Sequence, residues 1–130
     1  MILCGTFRYQ RVFLAMKTRN GWVEIDGIRY DHDVIIHSDR SVTKRHKKQS
    51  KKFKDAYGHT PLSEGEIGFL TGEHPAVVYV GTGQYGDLPL TPDARELLEH
   101  YEIVVRPTPE IIDMLAEETR PFVAVLHVNC

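Results

Sequence analysis

The sequence predicts an α/β domain of three layers, a mixed central sheet covered by helices and preceded by a β-hairpin. Three observations predict it. Residues 76–130 alternate short apolar runs with capped amphipathic segments, the order β-α-β-α-β. Residues 21–30 carry a hairpin signature around Asp26-Gly27. The chain has 130 residues, 42% apolar and 26% charged, which is enough for one core and too little for two.

Residues 1–20 show no clean period and read as an N-terminal arm, with the domain spanning 21–130. In Trp22 to Tyr30, Val23 and Ile25 alternate with Glu24, and Ile28 and Tyr30 flank Arg29. Asp-Gly adopts the positive φ angles of a two-residue type I′ turn, so Ile25 faces Ile28 and Val23 faces Tyr30. Val34-Ile35-Ile36 reads as a buried strand. Arg40 to Lys54 has no apolar face at helical spacing and reads as an exposed basic loop. Ser63-Glu64-Gly65-Glu66 has the form of a capping box, and Gly72 that of a stop, so a short helix is expected over 64–71.

Ala76 to Val80 reads as the next strand. Thr91-Pro92-Asp93 supplies a cap, a first-turn proline and an acid on the positive end of the helix dipole. Ala94, Leu97, Leu98 and Tyr101 follow on one helical face. Ile103 to Val105 is a strand, and Thr108-Pro109-Glu110 repeats the cap chemistry before Ile111, Ile112 and Leu115. Phe122 to Leu126 lacks polar alternation, which predicts a central strand buried on both faces.

The net charge is only −2, but its distribution is lopsided. Residues 1–54 hold 13 bases and 5 acids, and residues 55–130 hold 3 and 13. Half of all the bases, 8 of 16, lie between Arg40 and Lys54 with no acid among them. That asymmetry points to an anionic partner or to the chain's own acidic half. Cys4 and Cys130 form no Cys-x-x-Cys pair, so both are expected to be free thiols. No apolar run approaches the ~18 residues of a membrane span, and no continuous signal-peptide core opens the chain. A cytoplasmic protein is expected.

Gly81-Thr82-Gly83-Gln84-Tyr85-Gly86 matches G-x-G-x-x-G directly after a strand. A dinucleotide fingerprint needs its last glycine at the helix start, where free amides meet the phosphate. Here Asp87-Leu88-Pro89-Leu90 intervenes before the cap at Thr91, and an acid at 87 repels phosphate. No cofactor is therefore expected. The segment is a strand-to-helix loop, or a binding loop of another kind.

The seven histidines offer no metal site. His32 and His37 fall on opposite strand faces, and Asp33 and His37 lie about 13 Å apart at ~3.3 Å per residue. No H-E-x-x-H or G-x-S-x-G occurs. His59, before a capped helix, and His127, after a buried strand, remain as candidates.

Taken in order, these pieces resemble a known family. They are Gly21-Trp22, Asp26-Gly27, Tyr30, Asp33-Val34-Ile35-Ile36, His59, Val78 to Gly83 with its Gly-Thr-Gly, Thr108, and Leu126-His127-Val128-Asn129-Cys130. The family is a small α/β domain of largely unassigned function. It includes archaeal and bacterial hypothetical proteins, the adipogenesis-associated protein of animals and mitochondrial respiratory complex I assembly factor 3. The resemblance covers residues 21–130 and implies a three-layer domain with no established catalytic activity, cofactor or metal. The lysine-rich segment departs from it, standing where relatives often carry tryptophan.

Residues and resemblance together lead to a non-catalytic protein-binding or assembly module, presenting His59, Gly81, Thr82, Gly83 and His127 to a protein partner. Two alternatives stand beside it. One is a small-molecule enzyme with a pocket near the Gly-Thr-Gly loop, His59 and His127. The other is a weak nucleic-acid binder using Lys44, Arg45, Lys47, Lys48, Lys51 and Lys52 on phosphates.

Overall fold

In the computed structural model, which describes residues 15–129, the chain opens with three antiparallel strands, β1 (Met16–Arg19), β2 (Trp22–Ile25) and β3 (Ile28–Tyr30). Cys4 and Cys130 lie outside the described residues, so the free-thiol expectation does too. Asp26 and Gly27 have φ of 50° and 85°, the positive pair a type I′ turn requires. The register pairs Val23 with Tyr30 and Ile25 with Ile28, as predicted. Ile28 is nevertheless 58% exposed, because β3 is the outer strand of this small sheet. The boundary of the arm needs correction. Met16–Arg19 is a strand of the domain, and its Thr18 is buried and donates to the Trp22 carbonyl at 2.8 Å.

The second sheet has five strands: β4 (Val34–Ile36), β5 (Val42–Lys44), β6 (Val77–Thr82), β7 (Glu102–Arg106) and β8 (Phe122–His127). Their order is β5-β4-β8-β6-β7. β6 runs parallel to both β7 and β8, while β4 is antiparallel to β8 and β5, so the sheet is mixed. β8 is central, and all six of its residues are buried.

Strand alternation divides the core in two. Val34, Ile36, Val77, Tyr79, Phe122, Ala124 and Leu126 form one face. Ile111 and Leu115 of α5 (Thr108–Leu115) and Val23 and Ile25 of the small sheet cover it. Ile35, Val78, Val80, Val123 and Val125 form the other face. There the cover is Ile67 of α2 (Glu64–Ile67), Leu70 of α3 (Leu70–Glu73), Ala94 and Leu98 of α4 (Pro92–Leu98), and the loop residues Leu62, Leu88 and Leu90. The three-layer α/β arrangement is thus as the sequence predicts. Burying each large aliphatic side chain contributes roughly 1.5–3 kcal/mol. Among the described residues no helix is long and apolar enough to cross a membrane.

The basic segment is not an exposed loop. Val42–Lys44 pairs with β4, Lys48–Phe53 forms a 3₁₀ helix, and α1 (Lys54–Tyr57) ends at Gly58 with φ 74°. Arg45 and Ser50 within it are buried. The capping box also fails. The Ser63 hydroxyl caps nothing and pairs with the Ser50 hydroxyl at 2.6 Å, while Glu66 is drawn away to Arg45. Residues 64–73 form two short helices rather than one, and the stop is His74 at φ 49°, not Gly72. Thr91 does cap α4, accepting from the Ala94 amide at 3.2 Å.

Candidate functional site

Polar residues replace apolar ones at one end of the sheet. The register sets Thr82 of β6 beside His127 of β8. One step beyond the Val34–Leu126 and Val34–Lys44 pairs, Asp33 lies between His127 and Arg45. The Arg45 amide donates to the Asp33 carbonyl at 2.9 Å, which continues the ladder. Arg45, Asp33, His127 and Thr82 therefore form a row across four strands, on the face that carries Ile35, Val125 and Val80. It lies at the carboxyl ends of the parallel strands, where open α/β sheets place their ligand sites.

Asp33 is the hub, with a side chain 1% exposed. Its Oδ2 accepts from Arg45 Nη1 at 2.8 Å and His127 Nδ1 at 2.8 Å, and its Oδ1 accepts from the Val128 amide at 2.9 Å. Lys47 Nζ is 3.6 Å away. Burial by itself raises the Asp33 pKa, but the His127 hydrogen bond and charge, the Val128 amide and Lys47 outweigh it and hold the carboxyl well below the usual range. An ionised Asp33 fixes the proton on His127 Nδ1 and leaves Nε2 as the acceptor nitrogen.

Arg45 locks the basic segment to the rest of the molecule. Its Nε and Nη2 fork onto Glu66 Oε1 and Oε2 at 2.7 and 2.8 Å, and Nη2 also donates to the Pro61 carbonyl at 3.0 Å. Ser50 Oγ donates to Glu66 as well. A planar guanidinium fits this bidentate geometry, and lysine does not. Arg45 is thus a buried strut, which corrects its reading as a contact for an anionic partner.

Above this row opens a cavity of about 670 Å³, lined by Asp31, His32, Asp33, Lys44, Arg45, His46, Lys47, Lys48, Lys51, Thr60 and Asn129. Five of the six candidate bases line it, the buried Arg45 at its floor and Lys44, Lys47, Lys48 and Lys51 around it. Lys52 does not; its ammonium lies 5.2 Å from the Phe53 ring, on a separate cavity. Asp31 is the one acid in this lining that is not already bound up in the row.

The remaining candidates are dispersed. His59 is exposed and lies outside that lining. Gly81, Thr82 and Gly83 are buried, and their backbone is engaged. The Gly83 amide donates to Thr108 Oγ1 at 2.9 Å, and the Thr108 amide returns a bond to the Gly83 carbonyl at 2.9 Å. Thr108 Oγ1 donates in turn to the His127 carbonyl at 2.7 Å. A Cβ at Gly81 would sit 2.7 Å from Thr108 Oγ1, and Gly83 has φ 104°. The Gly-Thr-Gly segment is a tie between β6 and α5. Thr108, read as a cap, spends its hydroxyl on that tie.

No family model matches the chain, and no curated protein matches it. Solved structures do. The chain superposes on the conserved hypothetical protein PH1505 from Pyrococcus horikoshii OT3 with a TM-score of 0.78 and 33% identity, covering 90% of this chain and 98% of that one. The chain belongs to the PH1505 family. A structure named MT938 is 29% identical over 92% of this chain and 100% of its own, with a TM-score of 0.71. Xanthomonas campestris XCC1710, at 17% identity and a TM-score of 0.56, shares the fold alone. The PH1505 family is thus one of small conserved hypothetical proteins.

In this member the buried carboxylates make stability acid-sensitive. Besides Asp33, Glu118 is lowered to about 2 by Arg120, against its burial, and further by the Tyr79 hydroxyl. A depressed carboxyl contributes stability above its unfolded value that is lost as pH falls through the folded one. Melting temperature should therefore hold above about pH 5 and fall steadily between about pH 4.5 and 2. Asp33→Asn should flatten the fall below about pH 4, where the unfolded chain takes up a proton at Asp33 that the folded chain still refuses. A melting temperature unchanged down to pH 3 would contradict this charge assignment.

Proposed function

We propose that the domain is a non-catalytic binding module whose lysine-lined cavity receives an acidic segment of a protein partner. One observation carries it. Lys44, Lys48 and Lys51 line an open cavity, and the buried carboxylates of Asp33 and Glu66 are already paired with Arg45 and Lys47. The charge of these three lysines is left over for a ligand. Such unpaired charge both steers an anionic partner and selects for it. The resemblance of residues 21–130 to a family that includes a mitochondrial respiratory complex assembly factor and the adipogenesis-associated protein supports a protein partner.

The test is calorimetry with a short poly-glutamate peptide. Wild type should bind it with an affinity that drops steeply as salt rises. Replacing Lys44, Lys48 and Lys51 with serine should abolish binding and leave the melting temperature nearly unchanged, since these three lysines are exposed. Retained binding in that variant would sink the proposal. An oligonucleotide binding far more tightly than the peptide would replace it with the nucleic-acid reading.

A second reading has its own observation. Asp33 orients His127 through Nδ1 at 2.8 Å, the arrangement that prepares an imidazole for general-base work. His127→Gln should leave peptide binding intact under the first reading. Turnover of a small carboxylate or phosphate ester that this variant loses would establish the second.

A further inference from the structure

We propose that β7 is a self-pairing edge, through which two copies of this chain join their five-stranded sheets about a twofold axis. β7 is the outermost strand of its sheet, and among the described residues nothing pairs with its outer side. Exposed edges are normally guarded by proline, by lysine, by an inward charge or by a bulge. Glu102-Ile103-Val104-Val105-Arg106 has no proline, lysine or bulge, its charges stand only at the two ends, and its three β-branched residues are half-buried.

The strand's charges are complementary to themselves. Antiparallel pairing centred on Val104 sets Glu102 of one copy opposite Arg106 of the other, at both ends, with Ile103 opposite Val105. Parallel pairing would oppose like charges instead. The backbone phase agrees. Arg106 Nη1 reaches the Val105 carbonyl at 2.8 Å, which marks that carbonyl as outward, while the Thr108 amide turns inward to Gly83. The odd residues Ile103 and Val105 therefore face out, and the Val104-centred register makes them exchange both of their hydrogen bonds.

Glu102 is already held in an exposed fork by Arg120, at 3.0 and 3.2 Å, so its carboxylate is presented at the strand end. The lysine-lined cavity lies towards β4 and β5, across the sheet from this edge. Pairing would leave it open on both copies, so this inference stands apart from the proposed binding function.

Size-exclusion chromatography with light scattering on the full chain, at concentrations up to several hundred micromolar, is the test. Wild type should reach twice the mass of one chain and stop there, because a twofold contact closes on itself. Arg106→Glu opposes two acids at each end and should weaken the dimer about tenfold without lowering the melting temperature. Adding Glu102→Arg to that variant should restore it, a rescue that a merely structural role for either residue would not produce. A monomeric wild type, continued growth beyond two copies, an undiminished Arg106→Glu dimer, or a folded double variant that stays monomeric would each overturn the proposal.

Discussion

Replacing Arg45 with alanine should cost about 3–5 kcal/mol, a large part of the ~5–15 kcal/mol that holds a domain of this size. The cost is not the worth of the ion pairs themselves. Desolvating three charged groups offsets most of their attraction, so the assembled cluster contributes modestly. Alanine, however, leaves the carboxylates of Asp33 and Glu66, 1% and 2% exposed, without their cation. It also opens a cavity where a fully buried arginine stood and strips the Pro61 carbonyl of a donor. Urea unfolding gives the loss directly. Arg45→Met combined with Asp33→Asn and Glu66→Gln should recover much of it, because the uncompensated charge is then gone. A single-variant loss below about 1 kcal/mol would mean that the carboxylates find another cation, for which Lys47 at 3.6 Å from Asp33 is the nearest.

Val125→Asp should leave no soluble folded protein. Val125 is 1% exposed on the central strand, paired with Ile35 on one side and Val80 on the other, among the apolar side chains that α2, α3 and α4 cover. No cation lies within that cluster, so the carboxylate meets the full penalty of an unpaired buried charge, several kcal/mol at least. Val125→Ala removes only methyl groups and should cost about 2 kcal/mol, giving a folded reference. Val42→Asp on the edge strand β5, where the residue is half-buried, should be tolerated with a small loss. Soluble expression and the melting temperatures of these three variants separate central from edge strands. A well-folded Val125→Asp protein would refute the central position of β8.

Local chemistry made most of the elements legible. The Asp26-Gly27 turn forms with the predicted register because positive φ at two successive positions selects one turn type. Thr91-Pro92 starts α4 because the cap, the ring and the helix need nothing from elsewhere in the chain. The failures share one cause. Ser63 and Glu66 have the spacing of a capping box, yet Arg45, twenty-one residues earlier in the chain, offers Glu66 a stronger, bidentate partner. Met16–Arg19 has no apolar signature of its own and is a strand because β2 supplies the ladder. Thr108 has the residue type of a cap, but Gly83 and His127 claim its hydroxyl.

By itself the sequence determined the three-layer α/β fold, the strand that lies at the centre, the hairpin register and the concentration of positive charge between Arg40 and Lys54. Only the tertiary structure decided which of those charges are sealed and which are free. Arg45 lies inside and Lys44, Lys47, Lys48 and Lys51 line the cavity, although all five read alike along the chain. Nor does the sequence show what Asp33, one of 18 acids, does beyond its place before a strand. Its role follows from strand pairing that brings residues 33, 45 and 127 side by side. Secondary structure is set by interactions within a few residues, and a single sequence displays them. A buried charge cluster depends on which distant groups share a low-dielectric space, and the packed sheet alone specifies that.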